Sequence, residues 1–300
     1  MKVCLDRPLP LLIKSQNKAK VLSFDLERGE SRARFLGMVH LAEPAFYEQR
    51  NQELEEDPES TVLAEGIYDE QGACEGESSQ ETTALRKMYS ILAEPFQGDP
   101  ILQTRVFPRR QDVESCDLSM QELLQGLDLG RHGQVPGELM AMFSASIQAV
   151  GAVPSVPEEI LPAARGLLKK QLADKLVGLG EAPEWLLKRI PGYKTIVVRR
   201  NHGVAQYLND GVHGAQTVLV PWGVMHFPDM VRHLYPQGWN YVPGSAAYTP
   251  FMTMPTFLEQ LKWTATTALY GVGKAVELGE WVYREGAKQL EALGDRKEKN

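Results

Sequence analysis

Ala33-Arg34-Phe35-Leu36-Gly37-Met38-Val39-His40 is the stretch on which the fold turns. An earlier run, Val21-Leu22-Ser23-Phe24-Asp25-Leu26, also has strand composition, and the polar residues 28–31 separate the two. Two apolar runs around such a turn predict a β-hairpin. Beyond His40, Pro44 stands where a first helical turn tolerates proline, and residues 45–54 have helical composition. Thr61-Val62-Leu63-Ala64-Glu65-Gly66 then returns to an apolar strand. Strand, helix, strand is the unit of a parallel crossover. The expected class is therefore α/β, with a mixed or mainly parallel central sheet flanked by helices.

Residues 68–82 are polar and predict a loop. From there the pattern turns mainly helical, which predicts a large helical insertion over about 74–192. Ser119 and Glu122 have capping-box spacing ahead of Leu123 and Leu124, and helices are expected over 136–150 and 157–179. Tyr193-Lys194-Thr195-Ile196-Val197-Val198 predicts a strand, and a helix follows over about 201–208. A strand over 216–221, a helix over 227–235 and a short strand over 239–242 complete an α/β domain spanning 1–252. Residues 253–300 form a tail. Its apolar residues Phe257, Leu261, Ala265, Ala268, Val272 and Val276 have helical spacing, although Gly271, Gly273 and Gly279 interrupt any single long helix.

A chain of 300 residues with a formal charge of −7 can bury a sizeable core but offers little to phosphate. Its basic clusters are pairs (Arg109-Arg110, Lys169-Lys170, Arg199-Arg200), so no nucleic-acid partner is expected. Cys4, Cys74 and Cys116 are widely spaced and odd in number, which suits a reducing compartment better than a disulfide framework. No uncharged run approaches the ~20 residues of a transmembrane helix. Residues 1–20 do not form a signal-peptide core, being broken by Pro8 and Pro10. The expected location is the cytoplasm.

Chemistry is suggested by a repeated corner. Gly37-Met38-Val39-His40 and Gly223-Val224-Met225-His226 each follow a strand-like run, and each histidine is followed three residues later by an acid, Glu43 and Asp229. Functional residues of α/β proteins gather at the carboxyl ends of strands. Glycine permits a sharp turn there, and histidine supplies a nitrogen for a metal or a proton. Glu65 ends its own apolar strand, where a carboxylate is costly without a cation or metal. Its strand is expected beside the one ending at His40. Arg200 follows the run 195–198 in the same way, as a partner for Glu65 or a stabiliser of a developing oxyanion, with a solvated surface pair as the plain alternative. Glu43 and Asp229 read first as acids placed by the helix dipole, and second as groups that orient the histidines. His202 either shares the site or starts its helix. His132, His213 and His233 have no supporting pattern and read as structural or surface residues. Trp263, Tyr270 and Trp281 in the tail read as docking residues, with a membrane surface or a partner as the alternative occupant.

Taken in order, these residues resemble the TraB/PrgY/Tiki family, also called TraB/GumN-like. The likeness rests on the strand with Gly37 and His40, the strand ending in Glu65, the helix start at Arg200-Asn201, and the strand with Gly223 and His226. Asp117, in Ser115-Cys116-Asp117-Leu118-Ser119, resembles the family's mid-chain acidic position. Residues 20–70 and 193–243 carry the likeness. It implies an α/β core like that of the erythromycin-esterase and ChaN-type proteins, with a helical insertion. Tiki members of the family are described as divalent-metal-dependent proteases, and bacterial members are associated with limiting peptide-pheromone signalling. The implied activity is a metal-dependent hydrolase, a metalloprotease acting on a peptide, with His40, His226 and Glu65 holding Mn²⁺, Co²⁺ or Zn²⁺. Arg200 then serves the oxyanion, and Glu65 is the alternative general base. Two other readings stay open: a metal-independent His/Glu hydrolase of peptides or small molecules, and a non-enzymatic protein that binds a peptide or other ligand.

Overall fold

The computed structural model describes residues 2–4, 8–66, 101–103, 107–110, 112–114, 116–119, 122, 161–181, 194–212, 216–256 and 258–262. Its strands are β1 (Lys2–Cys4), β2 (Pro8–Pro10), β3 (Leu12–Ser15), β4 (Lys18–Arg28), β5 (Ser31–Met38), β6 (Leu41–Ala42), β7 (Thr61–Val62), β8 (Ile101–Leu102), β9 (Thr217–Gly223), β10 (Asn240–Tyr241) and β11 (Ala247–Thr253). Its α-helices include α1 (Pro44–Glu55), α2 (Leu161–Glu181), α3 (Arg200–Gln206) and α4 (Phe227–Leu234). The contacts define two compact units, Met1–Ser155 with Leu168–Met254, and Val156–Leu167 with Pro255–Asn300. Among the described residues no helix is long and apolar enough to cross a membrane.

The hairpin expected from the sequence is present, with β4 and β5 antiparallel in a register that sets Phe24 against Phe35. Those rings stack at 5.1 Å, and Phe227, the first residue of α4, meets both edge-on at 5.5 and 5.3 Å. Such aromatic contacts add about 0.5–1.5 kcal/mol each beyond burial. They seat α4 on the sheet directly after His226.

The sheet runs in the order β10-β4-β5-β9-β7, with β3 and β11 also pairing with β4. Pairs β5–β9 and β9–β7 are parallel, while those of β4 are antiparallel. The sheet is thus mixed, and the class is α/β. β4 serves two neighbourhoods: Lys18 to Val21 lie between β3 and β11, and Phe24 to Arg28 pair with β5 and, at Leu26 and Glu27, also with β10.

Several expectations need correction. The strand ending in Glu65 is not beside the one ending in His40, because β9 lies between them. Consecutive strands are usually neighbours. Here β9, buried along Val218, Leu219, Val220, Pro221 and Trp222, takes the central place that suits a continuous apolar run. Residues 194–199 form wide π-type helical turns leading into α3, not a strand. Their β-branched residues express a preference worth only ~1 kcal/mol, which packing overrides.

The insertion expected to be helical contains β8, antiparallel to β6, and Val113, which bridges Val62 in parallel. It therefore returns to the sheet. Of its expected helices, that over 157–179 corresponds to α2, whereas that over 136–150 lies outside the described residues. Ser119 and Glu122 make the reciprocal capping-box bonds, with each backbone N–H donating to the other's side-chain oxygen. β11 was not anticipated, and it pairs antiparallel with β4. The predicted loop over 68–82, His132, His213, Trp263, Tyr270 and Trp281 also lie outside the described residues.

Candidate functional site

The three parallel strands deliver the expected residues to one end of the sheet. Leu63 N–H donates to Leu219 O at 2.9 Å and Glu65 N–H to Pro221 O at 3.3 Å, so the ladder continues past β7 to Glu65. The first corner is tied from α1: Tyr47 OH donates to Val39 O at 2.8 Å, and the buried Arg50 donates to Gly37 O at 3.2 Å and Ser23 Oγ at 3.0 Å. Gln103 N–H donates to His40 O at 3.0 Å. Gly37 is required by crowding, since a Cβ there would lie 2.1 Å from Leu22 O.

Glu65 occupies the centre, with its side chain 4% exposed. Gly223 N–H donates to its Oε2 at 2.7 Å, and Arg200 Nη2 reaches its Oε1 at 2.9 Å. Arg200 also binds Asp117 in a fork, Nε to Oδ1 at 2.7 Å and Nη2 to Oδ2 at 2.6 Å. Asp117 is further held by the N–H groups of Gly66 and Leu118, at 3.1 and 2.7 Å. The guanidinium lies 5.2 Å from the centre of the Trp222 ring, whose indole N–H donates to Leu63 O at 2.7 Å. Arg200 is buried whereas Arg199 is exposed, so the alternative of a solvated pair is excluded for Arg200. Its Nη1 hydrogens are uncommitted among the described residues.

His226 approaches from the second corner, with Nε2 3.6 Å from Glu65 Oε1 and its ring 5.4 Å from Trp222. Its Nδ1 lies 2.6 Å from Asn201 Oδ1, and Asn201 Nδ2 lies 2.9 Å from Asp229 Oδ2. A carboxylate only accepts, so the amide nitrogen must face Asp229 and the amide oxygen the imidazole. Nδ1 therefore carries the proton, and the Nε2 lone pair points toward Glu65. Asp229 thus acts on His226 through Asn201, in addition to its place in the first turn of α4. Glu43 does not have an equivalent role among these contacts: its carboxylate binds the N–H and hydroxyl of Thr253, each at 2.9 Å, and Lys169 Nζ at 3.4 Å.

The electrostatics follow from these contacts. Burial favours the neutral acid of Glu65, but Arg200, His226, His40 and the Gly223 N–H outweigh it and hold the carboxyl well below the usual range. Burial is also the largest influence on His226, lowering its pKa to about 4; Glu65 opposes this, and Arg200 and His40 reinforce it. Burial acts against the Arg200 cation, yet Glu65 and Asp117 raise its pKa. Two carboxylates against one guanidinium leave the cluster about one negative charge in excess.

His40 is exposed at the rim, within electrostatic reach of both Glu65 and His226. Asp117, weakly signalled in the sequence, proves central. Trp222 escaped notice because an apolar residue in an apolar strand has no distinguishing pattern. His202 is exposed on the outer side of α3 beside His233, outside the cluster.

The donor set suits a divalent cation in chemistry: a neutral imidazole with its Nε2 lone pair free, an ionised carboxylate opposite it, a second histidine at the rim and an excess of negative charge. Among the described residues, however, no three His, Cys, Asp or Glu side chains gather closely enough to make a preformed metal cage. Comparison of the chain with protein-family models, curated proteins and solved structures gives no match.

Proposed function

We propose that this chain is a hydrolase of the TraB/GumN-like type, built on an erythromycin-esterase/ChaN-like core and acting on a peptide or a related acyl bond. The observation that carries this reading is the pair His226 Nε2 and Glu65 Oε1. They are two electron-rich atoms 3.6 Å apart, one a fixed lone pair and the other an ionised carboxylate. Such a pair is stable when an electropositive species lies between or beside its members.

His226 and Glu65, with His40 at the rim, would hold a divalent ion such as Mn²⁺, Co²⁺ or Zn²⁺, which when bound supplies Lewis-acid polarisation and a water of lowered pKa. The chain's own groups do the rest. Asn201 and Asp229 keep His226 in the Nδ1–H form, so Nε2 remains available. Asp117 fixes the plane of Arg200 and leaves its Nη1 hydrogens to meet charge developing on a carbonyl oxygen. Trp222 lines the base of the cluster and limits water around it.

One observation favours a second reading, in which no ion is involved. Arg200 already provides a cation to Glu65 Oε1 at 2.9 Å. His226 Nε2 would then accept the proton of water directly, with Glu65 offsetting the imidazolium charge. The widely spaced cysteines, including the free Cys116, support a reducing, cytoplasmic setting for either reading.

The test combines elemental analysis with hydrolysis of a panel of peptides and esters, before and after chelation, for wild type, His40→Ala and His226→Ala. The expected outcome is a metal content lost in His226→Ala together with a fall of at least ~100-fold in kcat/KM. Metal content unchanged in both variants rejects the ion site. Hydrolysis that survives exhaustive chelation selects the second reading, and no hydrolysis of any substrate under any condition rejects both.

A further inference from the structure

The imidazole of His226 is held from another helix. Its Nδ1 lies 2.6 Å from Asn201 Oδ1, and Asn201 Nδ2 donates to Asp229 Oδ2 at 2.9 Å. That same carboxylate oxygen faces His233 Nε2 at 3.7 Å. Arg232 Nη1 donates to the other oxygen, Oδ1, at 3.1 Å. Asp229 and His226 are buried, whereas the His233 side chain is 41% exposed and lines an open groove of about 360 Å³ between α3 and α4. A line of contacts therefore runs from solvent at His233 to the imidazole inside the site.

The shared oxygen gives this line a sign. A chain of hydrogen bonds in a low-dielectric setting polarises from end to end. With His233 neutral, the charge on Oδ2 acts on the Asn201 N–H and makes Asn201 Oδ1 a stronger acceptor for the His226 Nδ1–H. With His233 protonated, the imidazolium draws on the same charge. Asn201 is then less polarised, and its hold on His226 weakens. An imidazole whose N–H is strongly accepted offers a more basic nitrogen on its other side, here Nε2. Arg232 keeps its charge throughout and engages Oδ1, so it supplies a constant background.

Other titratable groups surround His233. His202 on α3 meets its ring edge-on at 6.1 Å, and Asp210 lines the same groove. Tyr235 follows α4, and β1, which packs against α4, contains Lys2. Among the described residues, Asn201 and His233 are the groups recorded at Asp229 Oδ2.

We propose that His233 is a positioning residue that regulates the site: its charge state, relayed through Asp229 and Asn201, sets how firmly His226 is held and how available Nε2 is. As regulation the inference rests on the hydrolytic reading, whereas the relay rests on these contacts alone.

The test follows the His226 Nδ1–H by proton–nitrogen spectroscopy through a pH titration, while the ring protons of His233 report its own protonation. The proteins are wild type, His233→Gln, His233→Lys and His202→Gln. In wild type the Nδ1–H resonance is expected to move upfield as His233 takes up its proton. His233→Gln lacks this step and stays at the downfield limit. His233→Lys, cationic throughout and four residues after Asp229, lacks the step and stays at the upfield limit. His202→Gln keeps it. For a peptide or ester that the wild type cleaves, kcat/KM is lower in His233→Lys than in His233→Gln by a few-fold.

A His226 resonance that ignores the protonation of His233 overturns the proposal, as does a step that persists in His233→Gln. A step lost in His202→Gln also overturns it, by assigning the effect to the other histidine. Hydrolysis without the step rejects the relay and leaves the hydrolytic reading intact. The step in a wild type that cleaves no substrate rejects the hydrolytic reading and leaves the relay standing. Equal turnover in the Lys and Gln variants beside a clear step rejects the regulation. A purely structural role for His233 changes unfolding and moves neither the step nor its two limits.

Discussion

His226 is neutral at pH 7 beside an ionised carboxylate, because burial lowers its pKa from 6.5 to about 4. The sign of the resulting pH dependence follows directly. Between about pH 6.5 and 4 the unfolded chain binds a proton here that the folded chain refuses, so stability falls as the pH falls through that window. A difference of this size corresponds to roughly 3 kcal/mol across the window. Urea unfolding at pH 7.5 and pH 5 should show the decline, and His226→Gln should flatten it. An equal slope in both proteins would show that His226 is not the titrating group. Glu65 adds a second loss below 4.5, because its folded pKa is depressed and its stabilising contribution disappears as the carboxylate protonates.

The contact from Asn201 makes a separate claim at the same scale. Long-range proton–nitrogen spectra should find the proton of His226 on Nδ1. Asn201→Leu should abolish that preference and cost about 1–3 kcal/mol for the buried N–H left without an acceptor. A wild-type spectrum with the proton on Nε2 would refute the tautomer assignment. Arg200→Met should cost more, about 3–5 kcal/mol by chemical denaturation, since it leaves Glu65 and Asp117 buried without their shared cation. A loss within the range of a surface pair, below ~1 kcal/mol, would mean that the charges are compensated in some other way.

Among the elements, α3 illustrates how a close approach reverses an ordinary preference. Alanine exceeds glycine in a helix interior by about 1 kcal/mol. Gly203, however, lies against the backbone of Cys116, and a Cβ on it would stand 2.1 Å from Cys116 O. Overpacking of this kind costs about 1–3 kcal/mol, and backbone cannot rotate away as a side chain can. Gly203→Ala should therefore destabilise the protein, and it should also loosen the segment that carries Asp117 to Arg200. A midpoint of urea unfolding that rises with this substitution would show that α3 has room to retreat. The helix also shows where local pattern misleads. Thr195, Ile196, Val197 and Val198 have strand composition, yet they lie in the wide turns that lead into α3 and turn Arg200 inward.

Across the whole molecule, β4 is the hinge of the sheet and β9 its parallel centre. Three parallel strands end together, so Glu65, His40 and His226 share one edge although they come from distant parts of the chain. Amide exchange should be slowest in β5 and β9, which are paired on both sides, and faster in β3, which pairs with β4 alone. Faster exchange in β9 than in β3 would contradict this order of pairing.

Much of this was legible in the residues themselves. Apolar strand composition and the polar turn marked the β4–β5 hairpin, Pro44 marked the start of α1, and the two Gly-x-x-His corners marked strand ends, because each signal is local. His40, Glu65, Arg200 and His226 could be named for the same reason: polar groups at the ends of apolar runs stand out. Tertiary structure alone decided that β9 separates β5 from β7, since strand order depends on which apolar faces bury one another. It also decided that Asp117 shares Arg200 with Glu65, and that Asn201 and Asp229 set the tautomer of His226. Those relations arise from contacts between residues far apart in sequence, whose energies no local pattern records.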